Sequence, residues 1–286
     1  MTTCVFDDRV CTLGEGPLWH PVRAQLFWFD ILQKSLLTVE EGARESWSFE
    51  EEVSAAGWVD ENTLLMASAK GLWRVDLRDG KRKRVCPLEE DNPRTRSNDG
   101  RADPFGGFWI GTMGYAAERG AGAIYRYYQG ALRKLFENIT IPNAICFAAD
   151  RSRAYFTDTP TGKVMQVGLD SEGWPAEPPS VLVDLKPEGL NPDGAVVDAA
   201  GAIWVAQWGA SRVSAYNTDG QFVRSVSLPA LQVTCPAFGG DGFGTLYVTS
   251  AAEGLSKAVL AEAPQQGMTF AVDGVAKGMT EPRVLL

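Results

Sequence analysis

One short apolar pattern recurs six times along the chain: Leu26-Phe27-Trp28-Phe29, Leu64-Leu65-Met66, Phe108-Trp109-Ile110, Ala154-Tyr155-Phe156, Ile203-Trp204-Val205 and Leu246-Tyr247-Val248. Successive patterns begin 38 to 49 residues apart, the period of propeller blades built from four strands. Most repeats run on into a second alternating stretch that ends at a tight turn. Leu72-Trp73-Arg74-Val75-Asp76 precedes Asp79-Gly80, and Arg212-Val213-Ser214-Ala215-Tyr216 precedes Asp219-Gly220. Period-two alternation bounded by such turns reads as antiparallel strands. The expectation is an all-β, six-bladed β-propeller with four antiparallel strands per blade, forming one domain over residues 1–286. A strand around Thr3-Cys4-Val5-Phe6 is expected to close the last blade. An up-and-down barrel or a β-sandwich gives no reason for a whole-blade period.

Ten or eleven residues before the six patterns stand Glu15, Ser54, Asn98, Asn143, Asp193 and Cys235. If each pattern is the second strand of its blade, these are equivalent points on the innermost strands, near one mouth of the central channel. Glu15, Asn143 and Asp193 together offer two carboxylates and an amide oxygen, a hard anionic set suited to a divalent cation. Each adjoins a turn-former: Gly14-Glu15-Gly16-Pro17, Pro142-Asn143-Ala144 and Pro192-Asp193-Gly194. Any one of these is an ordinary turn sequence; three at one repeat position point to a site. Arg96 and Asn98 are two residues apart, so an extended strand places them on one face. An arginine there suits a substrate oxygen or carboxylate, while Asp99 should point the other way and satisfy turn amides.

Composition narrows the alternatives. A formal charge of −9 argues against a nucleic-acid-binding surface. The basic run Lys81-Arg82-Lys83-Arg84 follows a turn and reads as a solvated outer hairpin. Five scattered cysteines without a Cys-x-x-Cys pair fit reduced thiols. No signal-peptide pattern or membrane-length apolar run is visible, so a cytoplasmic protein without a membrane partner is expected, as a monomer or weak homo-oligomer. His20 is the sole histidine and precedes a proline, so a structural role outweighs a Ser-His or Cys-His scheme. Cys235 shares the ring position but reads as a packed neutral thiol. No dinucleotide or P-loop motif occurs.

The ordered set Gly14-Glu15-Gly16-Pro17, Arg96-x-Asn98-Asp99-Gly100, Gly111-Thr112-Met113, Pro142-Asn143, Pro192-Asp193-Gly194, Phe238-Gly239-Gly240 and Leu246-Tyr247-Val248-Thr249-Ser250 resembles the gluconolactonase, regucalcin and senescence-marker-protein family of six-bladed propellers. The match runs from about Glu15 to Ser250. The resemblance implies hydrolysis of a sugar lactone with one divalent cation (calcium, zinc, manganese or magnesium). It implies Glu15, Asn143 and Asp193 as metal ligands, with Arg96 and Asn98 on the substrate. Asp193 is also the expected acceptor of the attacking water's proton.

Two departures stand out. Ala144 occupies a place where the family often has glycine, which narrows the backbone choices there. The family's sugar-hydroxyl-binding acid falls near Ala116, so Tyr115 and Glu118 become the candidates for that end of the pocket. A pentono-, deoxy- or anion-bearing lactone is then as reasonable as gluconolactone. The alternatives are a calcium-binding regulatory propeller without physiological catalysis, a scaffold for protein partners, and a phosphoester hydrolase.

Overall fold

The computed structural model describes residues 2–286. Among them six four-stranded antiparallel sheets follow one another around a ring. The innermost strands, in order, are Gly14–His20, Val53–Asp60, Thr95–Ala102, Pro142–Phe147, Asn191–Val197 and Gln232–Gly239. Each touches the innermost strand of the next blade, and the sixth touches the first, so the ring closes. All six recurrent apolar patterns lie in second strands, from Gln25–Asp30 in blade one to Thr245–Ala251 in blade six. The expected architecture is therefore present in every blade.

Blade six is assembled from both ends of the chain. Its strands run outward from Gln232–Gly239 through Thr245–Ala251 and Thr269–Asp273, and Thr2–Asp7 adds the outermost strand. Val5 opposite Phe270 and Thr3 opposite Val272 set the register. This is the closure expected from the N-terminal segment.

A blade is apolar on both faces, because each sheet is sandwiched between two others. The core accordingly sits between blades. Trp204 and Val213 of blade five meet Phe238, Leu246 and Phe270 of blade six; Phe27 and Phe29 of blade one meet Leu64 and Met66 of blade two. Trp28, Trp109 and Trp204, each in a second strand, are almost wholly buried. Outer strands are polar, and the basic run lies on one of them, Arg82–Pro87, where Arg82 stacks over Trp73 and Arg84 pairs with Glu90. All five cysteines are free, and no helix among the described residues is long and apolar enough to cross a membrane.

The end of the channel opposite the predicted site is stoppered. Residues 274–286 form no regular element and cross beneath the ring. Trp58 Nε1 donates to the Glu281 carbonyl (2.8 Å), and Val284 N donates to the Trp58 carbonyl (2.9 Å). These bonds hold the Glu281 carboxylate against Arg101 of the third innermost strand in a buried ion pair. Removing one partner of a buried pair leaves an uncompensated charge, at a cost of about 3–5 kcal/mol. Glu281→Ala is therefore expected to lower chemical-denaturation stability by about that amount, and Glu281→Gln by less. Equal stabilities for wild type and Glu281→Ala would show that the pair contributes nothing.

Candidate functional site

Every innermost strand loses its regular pairing at the predicted ring position. The register shifts fall between Glu15 and Leu18, Val53 and Ala55, Ser97 and Gly100, Asn143 and Cys146, Pro192 and Ala195, and Val233 and Pro236. Each therefore borders or brackets its ring residue. A bulge bends its strand and re-aims a side chain. Here six bulges at one level turn the side chains of six blades toward one mouth. Gly16 and Ala144, each just past a ring residue, have φ of 54°, in the left-handed region. That conformation is natural for Gly16 and strained for Ala144.

The structure gathers Arg96, Asn98 and Asn143 into one hydrogen-bonded line. Arg96 Nη1 donates to Asn98 Oδ1 (2.9 Å), and Asn98 Nδ2 donates to Asn143 Oδ1 (2.9 Å) and the Pro142 carbonyl (3.0 Å). Asn143 Nδ2 in turn donates to Thr159 Oγ1 (3.0 Å), whose hydroxyl donates to the Pro192 carbonyl (2.8 Å) beside Asp193. This fixes the Asn143 amide with its nitrogen toward Thr159 and leaves one lone pair of Oδ1 for a further partner.

Glu15 and Asp193 are each about 5% exposed, and neither makes an ion pair among the described residues. Burial raises the Glu15 carboxyl to about 8, with the Asp99 charge adding to it. Burial also holds Asp193 well above the usual carboxylate range, followed by repulsion from Glu15 and Asp99. Two desolvated carboxylates repelling one another are held apart in energy until a cation sits between them. Taken with the oxygen of Asn143, the third residue expected as a ligand, they offer an all-oxygen donor set. Among the described residues no three acidic, imidazole or thiol groups converge, so the set is two carboxylates plus an amide. These residues fit a hard divalent cation.

Asp99 satisfies backbone amides, as the sequence suggested, and reaches beyond its own turn. Its Oδ2 accepts from the Ile145 amide of the neighbouring blade (2.8 Å). That amide is free because the bulge next to Asn143 has lifted it from its sheet. Burial raises Asp99 to about 6, opposed by the Ile145 amide and by Arg101. Ser54 donates to Ser97 Oγ (2.8 Å), and Cys235 is a buried thiol whose pKa burial raises, so both ring positions are structural. His20 is wholly buried with Nε2 3.0 Å from the Asp60 carbonyl, and burial lowers its pKa; it is a packing residue.

Tyr115 and Glu118 part company. The Tyr115 hydroxyl donates to Glu52 Oε2 (2.9 Å), and Lys34 Nζ lies 3.5 Å from the other Glu52 oxygen. Arg96 feels the charges of Glu253, Glu15 and Glu52, which offset the burial that disfavours its cation. Tyr115 thus belongs to the rim around Arg96. Glu118 does not reach that rim: its Oε2 accepts from the Ala116 amide (3.1 Å) and lies over Gly114, holding its own exposed turn. The missing acid near Ala116 is therefore not replaced by Glu118. Thr159, Glu52 and Glu253 were missed from the sequence, since none stands at the repeat position.

The family model described as the SMP-30/gluconolactonase/LRE-like region matches residues 13–252. The chain belongs to this family. A Rhizobium meliloti protein assigned as a sugar lactone lactonase is 43% identical over 96% of this chain and 94% of its own length. An L-arabinolactonase of Azospirillum brasilense is 35% identical, covering 96% and 93%. A crystal structure of a calcium-binding protein, regucalcin, from Agrobacterium tumefaciens superposes with a TM-score of 0.97 at 39% identity, covering 99% of this chain and 97% of that one. Against the wider family pattern Ala144 is the departure with a visible backbone consequence. A left-handed non-glycine residue costs about 1–2 kcal/mol, while the buried Ala144 methyl contributes about 0.8 kcal/mol. Ala144→Gly is therefore expected to be neutral to about 1 kcal/mol stabilising, as read by thermal and urea denaturation; a loss above that range would refute the strain.

The raised carboxyls give a signed pH dependence. A group whose folded pKa lies above its unfolded value stabilises the fold below the unfolded value, and that contribution is lost as pH rises through the folded one. For Glu15 the window runs from the ordinary carboxyl value of 4.5 to about 8. Metal-free protein should lose thermal stability across it. A cation that binds the ionised form restores stability by mass action, so the increase in Tm at fixed calcium should grow with pH over the same window. A flat or shrinking increment would contradict the site.

Proposed function

We propose that this chain is a sugar lactonase: it opens an aldonolactone to the aldonic acid at one divalent cation held by Glu15, Asn143 and Asp193. The observation that carries the reading is the buried, cation-less pair Glu15 and Asp193, next to the hydrogen-bonded line of Arg96, Asn98 and Asn143. The lactonase names among its relatives, which include a 6-deoxy-6-sulfogluconolactonase of Pseudomonas putida at 32% identity, support the reaction class. When bound, the cation supplies Lewis-acid polarisation of the lactone carbonyl and increases the acidity of water.

The side chains do the rest. Asp193 accepts the proton of the attacking water on a carboxylate oxygen, the water oxygen bonds to the carbonyl carbon, and the ring C–O bond breaks. The released alkoxide takes that proton back from Asp193, leaving hydroxyl and carboxylic acid on one open chain and the carboxylate restored. Arg96 donates hydrogen bonds to substrate oxygens, and Asn98, bonded to both Arg96 and Asn143, keeps the binding and ligand groups in register. Tyr115, pinned by Glu52, forms the outer wall of the sugar pocket. Hard oxygen donors suit calcium, magnesium and manganese, and zinc also accepts carboxylates. The whole of residues 1–286 serves as one propeller domain, as a monomer or weak homo-oligomer. A reducing cytoplasm suits the five free thiols.

Asp193→Asn keeps the volume and removes the base. Hydrolysis of a panel of glucono-, galactono-, xylono-, arabinono- and sulfo-substituted lactones, followed by acid release, should fall by about 10²–10⁴-fold in this variant. Its Tm in metal-free buffer should hold or rise, since one of two repelling carboxylates is gone. Metal-stripped wild type should regain turnover on addition of one of the four cations. Wild-type-like hydrolysis by Asp193→Asn would remove Asp193 from the chemistry. The second reading, a calcium-binding regulatory propeller, is favoured by the regucalcin structure. It predicts tight calcium binding with no turnover of any lactone.

A further inference from the structure

Beside the C-terminal segment that stoppers it, the far end of the channel carries a second concavity. Beneath the ring, where the innermost strands of blades three, four and five end, a cavity of about 640 Å³ lies between those strands and the C-terminal tail. This falls within the roughly 300–1,000 Å³ of small-molecule sites. Its apolar walls include Phe105, Phe147, Val197 and Met279. Three arginines also contribute to the lining, Arg101, Arg151 and Arg283.

The charge balance there is unusual for this protein. Glu281 is the one acid among the lining residues, and it is already paired with Arg101. Arg151 and Arg283 make no ion pair among the described residues. Arg283 Nε donates to the Val59 carbonyl at 2.5 Å and its guanidinium lies 5.8 Å from the Trp58 ring, which fixes its direction. Arg101 Nη2 donates to the Ala195 carbonyl at 3.2 Å, yet its buried Nε has no hydrogen-bond partner. The chain as a whole carries −9. A concave, apolar-walled surface with two surplus cations is therefore a local exception to the field of the molecule.

We propose that this rear cavity is a second ligand site, taking a small organic carboxylate with an apolar body. Guanidinium groups match the planar carboxylate, and the phenyl and aliphatic walls supply the area that a bare inorganic anion would leave wet. The site stands apart from the lactonase reading. The Arg101–Glu281 pair separates the cavity from the ring of Glu15, Asn143 and Asp193, so its occupant needs no contact with the hydrolysed substrate.

The test is isothermal titration of the full chain with phenylacetate, with 2-phenylethanol as the neutral isostere and inorganic phosphate as the anion without an apolar body. Phenylacetate should bind saturably at one equivalent and weaken with salt, while the other two bind at least tenfold more weakly. Arg151→Glu reverses an exposed charge at the lip, and Ala149→Trp fills the cavity from an exposed position. Each should weaken phenylacetate at least tenfold and leave lactone turnover unchanged, whereas Arg96→Ala in the front mouth should leave phenylacetate binding intact. Absence of saturable binding would overturn the proposal, as would equal binding of 2-phenylethanol. So would loss with Arg96→Ala but not with the two rear variants, because the anion would then sit in the front mouth.

Discussion

The innermost strand of each blade has a sheet neighbour on one side only, and its other edge faces the channel axis. Six open edges converge there, each with backbone groups that burial will not leave unpaired. Side chains from adjacent blades supply the partners. Asn98 caps the Pro142 carbonyl, Asp99 takes the Ile145 amide, Thr159 caps the Pro192 carbonyl, and Thr234 donates to the Gly14 carbonyl at 2.5 Å. Lower down, Arg101 reaches the Ala195 carbonyl. These bonds stitch blade to blade. The polar residues around the axis are therefore in part the solution to an edge problem, and the candidate site is built from what that solution leaves over.

This explains why Glu15 and Asp193 stand out. Asn98, Asp99, Ser54 and Thr234 have clear backbone or hydroxyl partners in neighbouring strands. Glu15 accepts from the Gly16 amide next to it (2.9 Å), neither carboxylate makes an ion pair among the described residues, and Arg96 acts on Glu15 only at longer range. Their charge is surplus to the architecture, and surplus buried charge is what a bound ion can neutralise. Arg96 is the complementary case: a buried cation surrounded at longer range by Glu15, Glu52 and Glu253, with hydrogen-bonding capacity left for a ligand.

The periodic part of the structure was legible in the sequence because the propeller repeats itself. The Trp28, Trp109 and Trp204 patterns located the second strands, and a fixed step back located the ring. Asp99 was legible as an acceptor of backbone amides, but its partner Ile145 in the next blade was not, because that amide is freed by a bulge that period-two reasoning does not foresee. Glu118 looked like a substitute for an absent acid by proximity in sequence, but a turn can consume its own carboxylate, and this one does. Thr159 and Glu52 lie in connecting segments and not at the ring position, so the step back from the apolar patterns did not reach them. Arg101 and Glu281 lie 180 positions apart, and nothing local in either segment announces the partner.

The Thr2–Asp7 strand completes blade six from the far end of the chain. During vectorial synthesis this segment emerges before the rest of the propeller, yet its partner Thr269–Asp273 follows only after the other five blades. Blades one to five can form in order as they leave the ribosome, but the seam cannot close until nearly the whole chain is available. Until then the edge of Thr2–Asp7 is unpaired and able to join a foreign strand. Thr2–Asp7 is thus the last strand to find its place, which makes the circle a kinetic checkpoint as well as a shape.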